Sequence, residues 1–205
     1  MEEKVKNEYE FHEEWLELEK YQFKIMTVIT VLADNNRAFR GKLSDLCKEM
    51  SIQASGGNTQ KIRSTLDCLC EQGYLTIMKD EDIYNISLKR AAEKSKKVTI
   101  IKKAWYDLIK ETKSNREIEA AWENLLKVFV VLLDYTEQNN DDLHTYKEIA
   151  KRIGASTTTI GRCVDAICSI DFVDFQIMRD VVNVANKQGQ IKGKGQHYFR
   201  GMIFK

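Results

Sequence analysis

A glycine at position 154 interrupts the helical pattern of residues 146–167, YKEIAKRIGASTTTIGRCVDAI. Before the glycine, apolar residues recur at the three- and four-residue spacing of an amphipathic helix, and Thr145 with Glu148 matches a capping box at its start. After the glycine, the same spacing resumes at Ile160. Because glycine readily adopts the left-handed backbone conformation that ends a helix, the pattern predicts two short helices joined by a sharp turn.

The second of these helices, predicted from about Ser156 to Ser169, has two chemically different faces. The inward face is apolar and contains Ile160, Val164 and Ile167. The outward face is polar or small and contains Thr157, Thr158, Gly161, Arg162 and Asp165. A glycine inside a helix costs about 1 kcal/mol relative to alanine. Either a close approach of DNA to the backbone or the packing of a neighbouring helix would offset this cost.

Three residues around the turn have the spacing of a known motif. Ala150 is small enough for a close helix contact, Gly154 follows four residues later, and Ile160 lies six residues further on. This spacing resembles the helix-turn-helix of bacterial DNA-binding proteins. Apolar segments at residues 172–178 and 197–204 are predicted to form a strand pair behind the motif. A helix-turn-helix followed by such a hairpin is similar to a winged helix.

The resemblance implies that the second helix enters the major groove of DNA with its N-terminal residues leading. Hydroxyl side chains at a helix N-terminus bind phosphates or base edges. The candidates of this kind are Ser156, Thr157, Thr158 and Thr159. Arg162 is suited to two hydrogen bonds with guanine O6 and N7. The alternative is that the hydroxyl residues only cap the helix.

A glycine-rich basic segment lies between the two predicted strands, where a winged helix has its wing. Loops of this kind contact phosphates or the minor groove. The candidate DNA-binding residues of this region are Lys187, Lys192, Lys194 and Arg200. The alternative is a solubilising loop without a binding role.

The first half of the chain repeats this order of predicted elements. Helices are predicted at residues 11–34 and 42–50, and a third helix ends at Gly73, before strands at residues 74–78 and 83–88. The third helix is expected to be capped by Asn58 or Thr59. Its candidate DNA-binding residues are polar or basic and comprise Asn58, Thr59, Gln60, Lys61, Arg63 and Ser64.

Two features of this first half differ from the second. Cys47 and Ser51 stand where the motif has alanine and glycine, and the turn before the third helix is longer. The tip of the predicted hairpin, residues 79–82 (KDED), is acidic and would repel phosphate. The first half is therefore expected either to bind DNA less tightly or to use its wing to hold protein.

These patterns predict a mainly α fold with small β-hairpins (α+β), made of two winged helix-turn-helix domains and a helical linker. Residues 1–20 are interpreted as an acidic, helical N-terminal extension, and residues 21–90 as the first winged-helix domain. Residues 91–116 are interpreted as a basic helical linker that docks on a neighbouring domain or on a second copy of the chain. Residues 117–205 are interpreted as the second winged-helix domain.

Charge is distributed unevenly, although the net charge of the 205 residues is only +1. Residues 1–20 carry eight Glu against three Lys, whereas residues 89–103 carry seven Lys or Arg against one Glu. Residues 179–205 carry six Lys or Arg against one Asp. The balance excludes a uniformly basic coat protein, so a nucleic-acid surface must be local. The alternative interpretation of these charge runs is solvated helix faces.

Other function classes lack their sequence signals. No apolar run is long enough to span a membrane and the start lacks a signal peptide, so we expect a cytoplasmic protein without a membrane partner. No CxxC pair is present and the three histidines are scattered, so neither a metal nor a cofactor is expected. Motifs for phosphate loops, zinc proteases and nucleophile elbows are missing, and we expect no enzyme activity.

Two winged helices in one chain, joined by a helical linker, resemble the replication initiators of plasmids and phages. The resemblance spans roughly residues 20–205, but only residues 146–167 carry a recognisable motif. It implies binding of double-stranded DNA at an origin or operator, with replication proteins and a second copy of the chain as further partners. A transcription regulator is the first alternative. The second is a protein adaptor with tandem winged helices that does not bind DNA.

Overall fold

The computed structural model describes residues 7–89, 97–112, 121–137, 144–182 and 196–203. The chain divides into two compact units, Met1–Lys103 and Ala104–Lys205. Each unit combines helices with a small antiparallel sheet, so the fold is mixed α+β. This confirms the expected fold class at the level of its secondary structure.

The first unit begins with strand β1 (Glu8–His12) and a short 3-10 helix at Glu13–Glu17. Its later helices and strands follow in chain order: α1 (Lys20–Leu32), β2 (Ala38–Gly41), α2 (Leu43–Glu49), α3 (Gly56–Glu71), β3 (Leu75–Asp80), β4 (Ile83–Leu88) and β5 (Val98–Lys102). Strand β4 lies between β2 and β3 in a three-stranded sheet, and β1 pairs with β5 in a separate ribbon. The hairpin β3–β4 agrees with the sequence prediction.

The structure corrects the expectation that residues 1–20 form a helical extension and that one helix spans residues 11–34. Residues 8–12 form a strand, because Tyr9 and Phe11 are buried while Glu8 and Glu10 are exposed, which is the alternation of a β-strand. Helix α1 starts only at Lys20. Glutamate is less common in strands than in helices, which is why the sequence favoured a helix here.

The structure also corrects the helical linker predicted for residues 91–116. Residues 98–102 form strand β5, which pairs in antiparallel register with β1, and helix α4 (Lys103–Glu111) follows directly. Three of the five strand residues are β-branched and apolar, namely Val98, Ile100 and Ile101, and such residues favour strands. The basic residues 90–96 lie outside the described residues.

A charged contact joins the β1–β5 ribbon to the turn before β2. Arg37 Nη2 donates to His12 Nε2 over 2.8 Å, and Arg37 Nη1 lies 3.2 Å from Glu10 Oε2. His12 is only 4% exposed. Burial, reinforced by the charge of Arg37, lowers the pKa of His12 below its usual value.

We therefore expect the first unit to lose stability in mild acid. Because the folded pKa of His12 lies below its unfolded value of 6.5, the contribution of neutral His12 is complete above that pH. It is lost progressively as the pH falls below 6.5 towards the folded pKa. The free energy of unfolding, measured with urea at successive pH values, should fall more steeply with decreasing pH in the wild type than in His12→Gln. The glutamine keeps an acceptor for Arg37 but does not titrate. Equal pH dependence of the two proteins would contradict this expectation.

The second unit repeats the helix–strand–helix–helix–hairpin order of the first. After α4, its elements are α5 (Trp122–Glu137), β6 (His144–Thr145), α6 (Tyr146–Ile153), α7 (Thr157–Cys168), β7 (Phe175–Val182) and β8 (Gln196–Ile203). Strand β8 lies between β6 and β7, as β4 lies between β2 and β3 in the first unit. Aromatic rings of α4, α5 and the β7 region, among them Trp105, Phe129 and Phe175, pack together in this unit's core.

The turns before α3 and α7 share a left-handed residue that the sequence indicated in only one of them. Gly154 has φ 66°, and Ser51, which stands where the motif has glycine, has φ 54°. The backbone N–H of the next residue donates five residues back in both turns, from Ile52 to the Cys47 carbonyl and from Ala155 to the Ala150 carbonyl, each over 3.0 Å. The turns therefore end α2 and α6 in the same way.

These two positions should respond to substitution in opposite directions. A left-handed backbone costs a residue with a side chain about 1–2 kcal/mol, and the extra freedom of glycine in the unfolded chain costs about 0.5–1 kcal/mol. Ser51→Gly should therefore raise the free energy of unfolding by about 0.5–1 kcal/mol, and Gly154→Ala should lower it by a similar amount. Beyond its two chain neighbours, no atom of the described residues lies within 4 Å of a Cβ built at Gly154, so backbone strain should dominate there. Chemical denaturation measures both effects, and a destabilising Ser51→Gly would contradict the argument.

Among the described residues, no helix combines the length and the apolar character needed to cross a membrane.

Candidate nucleic-acid interface

The start of helix α6 is fixed by a reciprocal pair of hydrogen bonds. The backbone N–H of Thr145 donates to Glu148 Oε2 over 2.6 Å, and the backbone N–H of Glu148 donates to Thr145 Oγ1 over 3.2 Å. The predicted capping box is confirmed. The hydrogen bond from the Thr145 backbone is the main reason that the pKa of Glu148 is lowered from its ordinary value. Glu148 therefore stays ionised near neutral pH and keeps the cap closed.

The turn between α6 and α7 ends at residues whose side chains cap the N-terminus of α7. Gly154 adopts φ 66° and ψ 37°, and its backbone N–H donates to the Ala150 carbonyl. Ser156 is the N-cap of α7, and its Oγ accepts the backbone N–H of Thr159 over 3.1 Å. The hydroxyls of Ser156 and Thr159 also share a hydrogen bond of 2.9 Å. Ser156 therefore caps the helix, as the alternative interpretation had it, and the Thr159 hydroxyl is bonded to this cap.

The two predicted faces of helix α7 are confirmed except at Gly161, which was predicted on the outward face and is half-buried. Ile160, Val164 and Ile167 are at most 1% exposed. The exposed residues of the opposite face are Thr157, Thr158, Arg162 and Asp165. The buried anchors fix the rotation of the helix about its axis, so Thr157, Thr158 and Arg162 lie together on the exposed surface of its first two turns.

Gly161 lies beside this exposed face and next to helix α6. Among the described residues, and apart from its own helix's backbone and its two chain neighbours, a Cβ built at Gly161 would meet the ring of Tyr146 alone, with Cε2 at 3.7 Å and Cζ at 3.9 Å. These are ordinary van der Waals distances, so an alanine would fit against the part of the unit that the structure describes. Tyr146 itself is half-buried. The sequence pattern assigned Tyr146 to the apolar stripe of α6 and gave no signal that it borders the exposed face of α7.

The candidates of the predicted basic wing are only partly described. Lys187, Lys192 and Lys194 lie outside the described residues. Arg200 belongs to strand β8, where its backbone pairs with that of Met178 in β7. The two strands on either side of the segment agree with the predicted hairpin.

In the first unit, several side chains predicted to bind DNA form hydrogen bonds with backbone carbonyl groups of nearby residues. Ser55, not Asn58 or Thr59, is the N-cap of α3, and its Oγ accepts the Asn58 N–H over 3.3 Å. Asn58 Nδ2 donates to the Gln53 carbonyl over 2.8 Å, and Thr59 Oγ1 donates to the Ser55 carbonyl over 3.0 Å. The predicted cap was wrong because the helix starts earlier, at Gly56. Ser64 Oγ likewise bonds to a carbonyl of its own helix, that of Lys61.

The basic candidates of α3 contact neighbouring elements of the same unit. The ammonium group of Lys61 lies 4.1 Å from the ring centroid of Tyr21 in α1. Arg63 donates from Nε to the Tyr84 hydroxyl in β4 over 3.2 Å, and from Nη1 to Gln60 Oε1 over 3.3 Å. The hairpin turn beside this helix exposes Asp80, Glu81 and Asp82. Helix α3 therefore presents basic side chains that already contact other residues of the first unit.

The buried anchors allow the two helices to be compared position by position. Ile62 and Leu66 in α3 have the same spacing as Ile160 and Val164 in α7. Counting from these anchors, Ser64 takes the position of Arg162. The two exposed faces therefore differ at the position of the arginine that the sequence predicts to contact guanine.

No protein-family model matches the sequence, and no curated protein matches it.

Proposed function

We propose that this chain binds double-stranded DNA through winged helix-turn-helix units and that helix α7 of the second unit enters the major groove. The observation that carries the proposal is the geometry of residues 145–168. Two short helices joined by a left-handed glycine bury one face of α7 and expose Thr157, Thr158 and Arg162 on the other.

The topology of both units supports the winged-helix assignment. In each unit a helix, a short strand, two further helices and a hairpin follow one another. The short first strand pairs with the last strand of the hairpin in both sheets. A winged helix is built in this order, and its third helix is the one that contacts DNA.

The chemistry of α7 supports DNA as the ligand. The N-terminus of a helix carries partial positive charge and favours phosphate, and hydroxyl side chains there add hydrogen bonds. Arg162 follows one turn later on the same face, with the planar guanidinium that recognises guanine O6 and N7. Asp165, one further turn along, is acidic and marks where phosphate contacts should end.

Replication initiation on a plasmid or phage is the role that we propose for this binding, on the resemblance of the sequence to initiators. Selection of preferred sequences from random duplexes tests the role. Binding to direct repeats supports initiation, whereas a single operator that overlaps a promoter supports transcription regulation.

A protein adaptor is the second candidate, and the first unit favours it. The side chains of Asn58, Thr59 and Arg63 are engaged within that unit, and residues 80–82 place three carboxylates beside α3. These features suit a protein partner better than a phosphate backbone. If this candidate is correct for the whole chain, duplex DNA will not bind at low salt.

Fluorescence anisotropy with a labelled duplex of random sequence tests the proposal. We expect binding by the full chain and a linear fall of log K with log salt concentration between about 50 and 200 mM, because bound lysines and arginines release counterions from DNA. Lack of binding at the lowest salt concentration would reject the proposal in favour of the adaptor.

A further inference from the structure

Two exposed cations of the first unit are held against one buried tyrosine. Tyr84 in strand β4 is only 6% exposed, and its hydroxyl accepts a hydrogen bond from Arg63 Nε in helix α3 over 3.2 Å. Lys79 in β3 stands directly opposite Tyr84 in the antiparallel register, and its ammonium nitrogen lies 5.7 Å from the centroid of the tyrosine ring. Arg63 and Lys79 are themselves exposed. Helix α3 and the hairpin therefore present two positive charges at one junction.

The alternation of side chains in β3 separates Lys79 from the acidic residue that follows it. Successive side chains of a strand point to opposite faces of the sheet. Lys79 shares its face with Leu75, which is fully buried, and with Tyr84 on the neighbouring strand, to which α3 bonds. Asp80 projects from the other face. The sequence pattern of residues 79–82 predicted an acidic tip, but its lysine belongs to the side of the sheet on which α3 lies.

Arg63 has a different position on its helix from Arg162. Ile62 of α3 corresponds to Ile160 of α7, since both are fully buried anchors of the same spacing. Arg63 therefore takes the position of Gly161, one residue before that of Arg162. One residue corresponds to a rotation of about 100° around a helix axis. The arginine of α3 is thus directed towards the hairpin, and it does not take the outward position that is proposed to read guanine.

The contacts of Arg63 orient its side chain without using all of its donors. Besides the bond to Tyr84, its Nη1 donates to Gln60 Oε1 over 3.3 Å. These bonds use two of the five N–H donors of a guanidinium. They would favour a protein adaptor only if they prevented the arginine from binding anything else. A side chain that is already held in place loses less conformational freedom on binding, and a phosphate offers the charged acceptor oxygens that suit it.

We propose that the first unit is a sequence-neutral anchor on DNA, in which Arg63 and Lys79 bind phosphate oxygens of the duplex backbone and Tyr84 positions them. Phosphate contacts hold a protein on the duplex but carry no sequence information directly. In this arrangement the first unit contributes affinity, and Arg162 of the second unit contributes sequence preference. The inference rests on the proposed function, because it requires that the chain binds duplex DNA.

Alanine variants of the two cations in the full chain test the anchor. Arg63→Ala and Lys79→Ala should each weaken binding to a labelled duplex by about three- to tenfold, as expected for one hydrogen bond. The factor should be the same on random and on preferred duplexes. The slope of log K against log salt concentration should become shallower by about 0.9 for each phosphate contact that is lost. Fluorescence anisotropy at successive salt concentrations measures both quantities.

Arg40→Ala is the matched control for these variants. Arg40 is an exposed arginine of the same sheet, and it stands opposite Asn85, the neighbour of Tyr84, so it projects from the other face. Its loss removes the same charge and should leave both the affinity and the salt slope close to those of the wild type. Equal losses for Arg40→Ala and Arg63→Ala would show that only total charge matters and would overturn the anchor.

Tyr84→Phe tests the positioning role, because it removes only the hydroxyl and keeps the ring beside Lys79. Since both cations remain, the affinity should fall about twofold while the salt slope stays that of the wild type. In the Arg63→Ala background the same change should have no further effect, because the hydroxyl acts through Arg63. A loss of equal size in both backgrounds would show that the hydroxyl acts on the fold, and the positioning role would be rejected.

The outcomes separate this inference from the proposed function. If Arg162→Ala weakens binding while Arg63→Ala and Lys79→Ala do not, the anchor is rejected, DNA binding by α7 stands, and the surface is left to an acidic protein partner. Losses confined to the preferred duplex would mean that the first unit reads bases, which also overturns the anchor. If the wild type binds no duplex at low salt, both proposals fall. Unchanged melting temperatures of the alanine variants show that a loss of affinity is not a loss of fold.

Discussion

Replacing Arg162 with alanine is expected to lower the affinity for a preferred duplex by about 10- to 100-fold, the equivalent of one guanine contact. Arg162 is exposed on the face of α7 opposite the buried Ile160 and Val164. Alanine is a good helix former, so the helix should remain intact. Anisotropy titration measures the affinity, and thermal denaturation verifies the fold.

Two further variants show what kind of contact Arg162 makes. Arg162→Lys keeps the charge but loses the planar pair of donors. If Arg162 reads guanine, the lysine variant should lose sequence preference but keep much of its affinity for random duplex. Arg40→Ala is the matched control, because Arg40 is an exposed arginine on the edge strand β2 of the first unit. Equal losses for Arg40→Ala and Arg162→Ala would mean that only overall charge matters.

Replacing Arg152 with methionine is expected to cause the largest loss of stability among these variants, about 3 kcal/mol. Arg152 Nη2 lies 2.5 Å from Asp134 Oδ2, and the Asp134 side chain is only 2% exposed. The guanidinium also lies 5.2 Å from the ring centroid of Tyr135. The variant leaves a buried carboxylate without this cation and removes a bond between α5 and α6. Because α6 positions α7, DNA binding should fail at a lower temperature.

Lys151→Met is the matched control for this prediction, since Lys151 is the exposed neighbour of Arg152 on α6. It should change stability little. The double variant Arg152→Met/Asp134→Leu should recover much of the loss, because replacing a whole buried ion pair with apolar groups is often neutral. Equal melting temperatures for Arg152→Met and Lys151→Met would show that the Asp134 contact does not stabilise the unit.

The parts of the fold that depend on local chemistry could be predicted from the sequence. The capping pair Thr145–Glu148 and the left-handed Gly154 each act within a few residues of the chain, so the turn between α6 and α7 could be identified. The short strands β2 and β6 could not. Their partners β4 and β8 lie more than 40 residues away, and neither strand is long enough to show alternation.

The parts of the site that depend on side-chain contacts could not be predicted from the sequence. Asn58 and Thr59 have the right chemistry for groove reading, yet both bond to nearby carbonyls of their own chain. Ser51 adopts the left-handed conformation without being glycine. The proximity of Tyr146 to Gly161 follows from the crossing of α6 and α7, which the apolar pattern does not specify.

The central claim is tested most directly by titrating the ¹⁵N-labelled protein with a preferred duplex. The chemical shifts of the backbone amides are the readout. We predict the largest shifts in the first two turns of α7, residues 157–162, and smaller shifts at the corresponding turns of α3. A duplex that binds with its largest shifts on α3 or elsewhere, while the amides of residues 157–162 stay unchanged, would contradict the placement of α7 in the DNA groove.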